Sequence, residues 1–142
     1  MSTDYEGNGK MINKDVGNYI YDNPFGSLVG ETLSRVIVSD SGDDYIIFVT
    51  DRGDALKMYH SQQCCENVSI DDINGDIDDL VGVPILVADE RSAEDENASE
   101  SGTWTFYTIR TIKGTVDVRW YGYSNGYYSE AVDFCYLEDD SY

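Results

Sequence analysis

The chain has 142 residues, of which 9 are Lys or Arg and 28 are Asp or Glu, so its formal net charge is −19. A chain of this length supports one domain with its own core, so folding requires neither a disulfide nor a metal ion. This negative charge excludes the binding of nucleic acid through a basic surface, because the phosphates would be repelled. The same repulsion argues against docking on anionic membranes.

The sequence shows no targeting signal. Residues 1–6 lack the basic and apolar regions of a secretory signal. The longest apolar candidate, Leu80–Ala88, contains Gly82 and Pro84 and falls short of the about 20 residues of a membrane helix. Three cysteines are an odd number, so we predict free thiols and a cytoplasmic protein.

Two regions differ in composition. Residues 1–27 are rich in Gly, Asn, Asp and Tyr and have weak apolar periodicity, which predicts a peripheral or partly disordered arm. Residues 28–142 are predicted to form a single domain. Its first part is predicted to form a meander of three antiparallel strands, at Ser34–Ser39, Tyr45–Thr50 and Ala55–His60.

The middle of the chain changes period. Ile77, Leu80 and Val81 have the spacing of a short amphipathic helix, with Asp76 as its N-cap. A fourth strand is predicted at Ile85–Ala88. Residues 89–102 are predicted to form an acidic, solvated loop, since residues 89–100 include six acids and one Arg.

The C-terminal third predicts a long hairpin, Thr103–Ile112 and Thr115–Tyr121, joined by residues 113–114. This register places Arg110 opposite Asp117, an ion pair that a slip would lose. The face predicted to be buried carries Tyr107, Ile109, Thr111, Val116, Val118 and Trp120.

A second hairpin is predicted at Asn125-Gly126, leading to a last strand at Ser129–Leu137. A tight turn there would send Val132 and Phe134 to the arginine-bearing face. Either this hairpin is longer or bulged, or that face is covered; we favour a face covered by the short helix or the arm. The fold class expected is α+β: mainly an antiparallel sheet of about six to seven strands with one or two short helices.

His60, Cys64 and Cys65 are the candidate metal ligands. Zinc takes four N or S ligands, and no C-x-x-C pair completes this set. A Cys-His nucleophile is disfavoured by neighbouring acids such as Glu66, which raise the pKa of a thiol. We therefore predict no metal, no cofactor and no enzymatic activity, with small thiols and a hydrogen-bonded histidine as the structural alternative.

Aromatic residues are the sharper feature, since the chain has 12 Tyr and 2 Trp. The run Trp120–Ser129 has the composition of a paratope, in which Tyr provides contact area and Ser, Gly and Asn provide adaptable hydrogen bonds. The alternative is a set of ordinary edge-strand tyrosines.

Four runs carry specific motifs: Leu28–Gly30, Met58–Glu66, Ser101–Tyr107 and Arg119–Glu130. The second contains His-x-x-x-Cys-Cys-Glu and the fourth Trp-Tyr-Gly-x-Ser-Asn-Gly-Tyr-Tyr-Ser. Together they resemble a family of small uncharacterised proteins of bacteriophages and prophages, over roughly residues 28–137. The resemblance implies a phage-type gene product and adds no catalytic residue.

The first functional hypothesis is an acidic binding protein that inhibits a host defence enzyme, as anti-CRISPR proteins do. Carboxylates on one rigid body can mimic a phosphate array and attract the basic channel of a nucleic-acid-binding protein such as a CRISPR effector. Aromatic anchors would fix the register. The predicted partner-binding residues are Asp71, Asp72, Asp76, Asp78, Asp79, Glu94, Asp95, Glu96, Glu100, Trp104, Tyr121, Tyr123, Tyr127 and Tyr128.

Three alternatives stay open. A sponge for a nucleotide signal is one alternative, because two arginines could hold a phosphate and nearby aromatic rings could stack a base. The residues are Arg110 and Arg119, near Trp104, Phe106 and Tyr121. His60 with the two adjacent cysteines suits a metal- or thiol-dependent enzyme. Acidity can also serve solubility alone.

Overall fold

The computed structural model describes residues 24–137. Within this range the chain contains two 3-10 turns, Phe25–Leu28 and Ile77–Leu80. It also contains eight strands, namely β1 (Leu33–Ser39), β2 (Tyr45–Thr50), β3 (Ala55–Tyr59), β4 (Asn67–Asn74), β5 (Val87–Glu94), β6 (Ser101–Thr111), β7 (Gly114–Ser124) and β8 (Asp133–Leu137).

The strands form two four-stranded antiparallel sheets. Sheet I has the order β1-β2-β3-β8, and sheet II has the order β4-β7-β6-β5. The predicted meander of β1, β2 and β3 is confirmed by their pairing. One hydrophobic core contains residues of both sheets, so the sheets pack face to face as a β-sandwich.

The core joins the sheets through aromatic side chains. The indole N–H of Trp120 in sheet II lies 3.2 Å from the sulfur of Met58 in sheet I. Phe25 lies between the sheets, with ring centroids 4.7 Å from Tyr107 and 5.3 Å from Phe134. Trp120, Met58, Phe25 and Tyr107 are each 1% exposed or less, so these contacts are made away from water.

The predicted arm falls mostly outside the described residues, which begin at residue 24. Its last part is described: Phe25–Leu28 forms a 3-10 turn in which Phe25 and Leu28 are fully buried. The packed domain therefore includes Phe25, three residues before the predicted boundary at Leu28.

The helical part of the predicted α+β class is not found in residues 24–137, which are mostly antiparallel β-sheet. The predicted helix is the 3-10 turn Ile77–Leu80, which buries Leu80. Asp76 caps this turn as predicted, since its carboxylate accepts a hydrogen bond of 3.0 Å from the N–H of Asp78. No helix in this range has the length and apolarity needed to cross a membrane.

The predicted acidic loop is largely a strand. Val87–Glu94 pairs with β6 along its whole length, and the connection that remains is residues 95–100. The fourth strand thus lies at Val87–Glu94 rather than at Ile85–Ala88. The reason is that β5 is an edge strand held by backbone hydrogen bonds to β6, so its side chains are free to be acidic.

Strand β4, Asn67–Asn74, was not predicted from the sequence. Val68, Ile70 and Ile73 pack against the core. An irregularity between Ile70 and Asp72 inserts one residue, so the apolar positions do not keep a period of two.

The register of the β6–β7 hairpin differs from the prediction by two residues. Thr111 pairs with Gly114 across a two-residue loop, so Asp117 lies opposite Thr108 and not opposite Arg110. The hydroxyl of Thr108 donates to Asp117 at 2.7 Å. A shift of two keeps each side chain on its face, so the buried face is the one predicted.

The last strand lies in the other sheet. β8 pairs with β3, so the hairpin predicted at Asn125-Gly126 does not form a strand pair with β7. In sheet I, Phe134 and Tyr136 pack against the core, which removes the conflict in alternation. The expected cover over the arginine-bearing face is absent among the described residues, where the Arg119 side chain is 46% exposed.

We predict that Gly75→Ala lowers the free energy of unfolding by about 2–4 kcal/mol, because the new side chain would combine an unfavourable backbone conformation with a steric clash. Gly75 has φ +115°, and an added Cβ would overlap the carbonyl oxygen of Thr115 and lie 3.1 Å from the Cα of Val116. Gly53 also has positive φ, +94°, but open space around it. Gly53→Ala should cost only about 1 kcal/mol. Urea unfolding measures both, and equal losses would contradict the role given to the Thr115 contact.

Candidate functional site

The outer face of sheet II carries a row of four aromatic rings: Trp104 and Phe106 on β6, and Tyr121 and Tyr123 on β7. They point outward because alternate residues of the same strands point into the core. The ring centroids of Trp104 and Tyr121 are 4.4 Å apart, and those of the other contacting pairs are 6.0 and 6.5 Å apart. The row is therefore a continuous aromatic surface.

Two arginines stack on this row, and each is held by an acid. The guanidinium of Arg119 lies 5.3 Å from the ring centroid of Trp104 and 2.6 Å from Asp71. The guanidinium of Arg91 lies 5.6 Å from the ring centroid of Phe106 and 3.2 Å from the carboxylate of Asp89. Each exposed pair adds only about 0–1 kcal/mol of stability, but the pairs orient both arginines. The four rings with Arg91 and Arg119 are called the aromatic–arginine face.

The predicted acidic residues fall into two groups at opposite ends of sheet II. The distance between the ends is about 33 Å, because β6 has 11 residues. The group near the β6–β7 loop consists of Asp76, Asp78 and Asp79. The group at the β5–β6 turn consists of Glu94, Asp95, Glu96 and Glu100.

The remaining predicted acids, Asp71 and Asp72, lie on β4, which borders the aromatic–arginine face. Other exposed acids, such as Asp40, Asp43 and Asp51, lie in the turns of sheet I. The acids therefore flank the aromatic–arginine face without forming one continuous patch.

Four of the predicted binding residues meet in a second feature, a cleft of about 500 Å³ beside the β5–β6 turn. Glu100, Tyr121, Tyr123 and Tyr128 line it, together with smaller residues. We call it the tyrosine cleft. Tyr127, also predicted, is 85% exposed and does not line the cleft.

Tyr121 links the tyrosine cleft to the acidic turn. Its hydroxyl donates a hydrogen bond of 2.6 Å to Asp95. This bond raises the pKa of Tyr121 to about 12 and lowers the pKa of Asp95, which also accepts from the N–H of Asn97. At neutral pH Tyr121 is therefore a neutral donor to an ionised carboxylate, and its ring is held in place.

The predicted metal candidates have other partners. His60 Nε2 lies 2.7 Å from Glu66, and its Nδ1 lies 2.7 Å from the carbonyl oxygen of Ala131. A disulfide joins Cys64 and Cys65, so the prediction of free thiols is wrong for this pair. Over residues 24–137, no three His, Cys, Asp or Glu side chains are placed to hold a metal ion.

Glu66 organises the loop that contains this disulfide. It is 4% exposed and accepts hydrogen bonds from the N–H groups of Gln63 and Cys64, at 2.7 and 2.9 Å, besides its contact with His60. Burial alone raises the pKa of Glu66, but the hydrogen bonds outweigh it and lower this pKa to about 2. The ordered loop places Cys65 at the rim of the tyrosine cleft.

Some residues of these features were not singled out from the sequence. Arg91 lies in the segment predicted to be a loop, although strand pairing places it on the aromatic–arginine face. Phe106 was predicted only as part of a nucleotide site, and its outward position follows from its alternation with the core residue Tyr107. No sequence signal points to Glu130, which lies outside both features, is 9% exposed and accepts hydrogen bonds from the hydroxyls of Thr103 and Ser124, at 2.8 and 2.5 Å.

Comparison with known proteins identifies a family but no activity. The model of a domain of unknown function, DUF7448, matches residues 26–134, which covers most of both sheets. No curated protein and no solved structure matches the chain.

We predict that the stability advantage of the native chain over Glu66→Gln depends on pH. A carboxyl whose folded pKa is lowered stabilises the fold fully above its ordinary pKa of 4.5, and this contribution is lost as pH falls toward about 2. The difference in unfolding free energy between the native chain and Glu66→Gln should therefore narrow as pH falls below 4.5. Urea titrations across this range measure it, with the exposed Glu96→Gln as control. A difference independent of pH would refute the assignment.

Proposed function

We propose that this chain, which belongs to the DUF7448 family, is an acidic binding protein that inhibits a host defence enzyme acting on nucleic acid, as anti-CRISPR proteins do. Its partner is a basic nucleic-acid-binding protein such as a CRISPR effector. A phage origin, action in the host cytoplasm and the absence of catalysis are parts of this proposal. The observation that carries it is the exposed aromatic–arginine face on a sheet that has acids at both of its ends.

The aromatic–arginine face supports a protein partner because of its composition. Trp, Tyr and Arg are the residues that dominate binding energy at protein interfaces, especially at the centre of the contact. Here Trp104 and Tyr121 occupy that centre, with Arg119 stacked on one side. The ion pair to Asp71 reduces the side-chain freedom that Arg119 would lose on binding.

The acids support the choice of a basic partner. Their two groups lie at opposite ends of β6, a strand about 33 Å long, and this length is close to the about 34–36 Å of one helical turn of duplex DNA. A channel that follows duplex over one turn has basic residues along this distance, so it can contact both groups at once. Opposite charge would also raise the rate of association.

The alternatives have less support. The sponge hypothesis needs Arg110 and Arg119 together, but Arg110 pairs with Thr115 near the β6–β7 loop and Arg119 pairs with Phe106. Four residues of β6 therefore separate them, about 13 Å. The enzyme hypothesis needs a free thiol beside a free imidazole, whereas the two cysteines are bonded and His60 contacts Glu66.

We expect the chain to bind one or more of a panel of purified CRISPR effectors at about 0.05 M salt, and at least about tenfold more weakly at 0.3 M, because salt screens ionic contacts. Asp78→Asn/Glu94→Gln should weaken binding several-fold, since the two substitutions remove one exposed charge from each acidic group. Asp40→Asn/Asp43→Asn removes equal charge from the β1–β2 turn and is the matched control. Salt-independent binding, or equal effects of the two double variants, would reject the proposal.

We also expect Trp104→Ala to weaken effector binding by about tenfold or more, because the substitution removes the centre of the aromatic row. Ile112→Ala is the control, since Ile112 is 75% exposed at the β6–β7 loop and lies outside the row. Biolayer interferometry gives both affinities, and thermal melts verify that each variant is folded. If the two variants bind alike, the aromatic–arginine face is not the contact surface.

A further inference from the structure

The tyrosine cleft opens at the β5–β6 end of sheet II. One side consists of residues 98–101, at the turn and the start of β6, and the other of residues 123–125 and Tyr128, at the end of β7 and beyond. Its volume of about 500 Å³ is of the size of known ligand pockets. It is therefore large enough to receive a long side chain of a partner.

Three tyrosines make the cleft aromatic. Tyr121, Tyr123 and Tyr128 line it, and the ring centroids of the first two are 6.0 Å apart at an interplanar angle of 45°. The hydrogen bond to Asp95 holds Tyr121 in place. Aromatic faces carry negative charge density and attract cations within about 6 Å.

The charge of the cleft favours the same class of ligand. Glu100 lines it, and none of its lining residues is Lys or Arg. An anion would be repelled by Glu100 and by the adjacent ionised Asp95. A cation would gain from the carboxylate and from the rings, and the side-chain oxygens of Ser99 and Asn125 can accept further hydrogen bonds.

We propose that the tyrosine cleft binds one arginine side chain of the partner; the inference rests on the proposed function in taking the partner to be basic. A guanidinium suits the cleft because it is planar, stacks on aromatic rings and directs several donors at once toward a carboxylate and neutral oxygens. An ammonium group has fewer donors and keeps its water more tightly. The cleft thus recognises one arginine side chain of the partner, while the aromatic–arginine face makes the larger contact with that partner.

The test is calorimetric titration of the full chain with a hexa-arginine peptide, using two matched pairs of variants. Glu100→Gln and Glu96→Gln remove the same charge from the same turn, but only Glu100 lines the cleft. Tyr128→Ala and Tyr127→Ala remove neighbouring rings, but only Tyr128 lines it. We expect about a five- to tenfold loss of affinity for Glu100→Gln and for Tyr128→Ala, and less than about twofold for the partner variants.

Equal losses for Glu96→Gln and Glu100→Gln would overturn the inference, since the peptide would then bind through general negative charge alone. A Tyr128→Ala variant that folds and binds normally would overturn it too. Absence of any peptide binding rejects the cleft while leaving the effector measurements to decide the proposed function. Conversely, peptide binding with the expected differences but without effector binding retains the arginine site and rejects the proposed function.

Discussion

The alternation of side chains along β7 is the constraint on which the rest of the structure depends. Val116, Val118 and Trp120 point into the core, so Arg119 and Tyr121 must point outward. A slip of one residue against β6 would exchange the faces and bring Trp120 into water, at a cost of several kcal/mol, on the order of 25 cal/mol per Å² of apolar surface exposed. The register that builds the core therefore also builds the aromatic–arginine face.

Part of the acidic charge lies around that face, and the proposed binding function rests on this arrangement. Asp71 and Asp89 pair with the two stacked arginines, and two groups of the predicted acids stand at the ends of sheet II. An aromatic centre with a charged rim is the usual anatomy of a protein interface, in which the centre supplies affinity and the rim steers and selects. The tyrosine cleft lies where the two parts meet, because Tyr121 belongs to the row and binds Asp95 of the acidic turn.

Local signals predicted the parts of the fold that depend on neighbouring residues. Strands β1 to β3 and the cap at Asp76 follow from β-branched runs, turn residues and an acceptor side chain two residues before an N–H. The acidic composition of β5 predicted a loop, which is wrong, because the pairing of this strand depends on the β6 backbone and not on its own side chains. The β6–β7 register was wrong by two, since a period of two cannot distinguish Thr108 from Arg110 as the partner of Asp117.

Sequence alone determined the net charge, the buried face of the long hairpin and the outward position of Trp104 and Tyr121, because these depend only on composition and on alternation along one strand. Tertiary structure alone decided that β8 joins sheet I, that the acids divide into two groups, and that Glu100 and Tyr128 meet in one cleft. The physical reason is distance along the chain. These arrangements arise where segments far apart in sequence pack together, and the periodicity within one segment does not indicate which other segment it packs against.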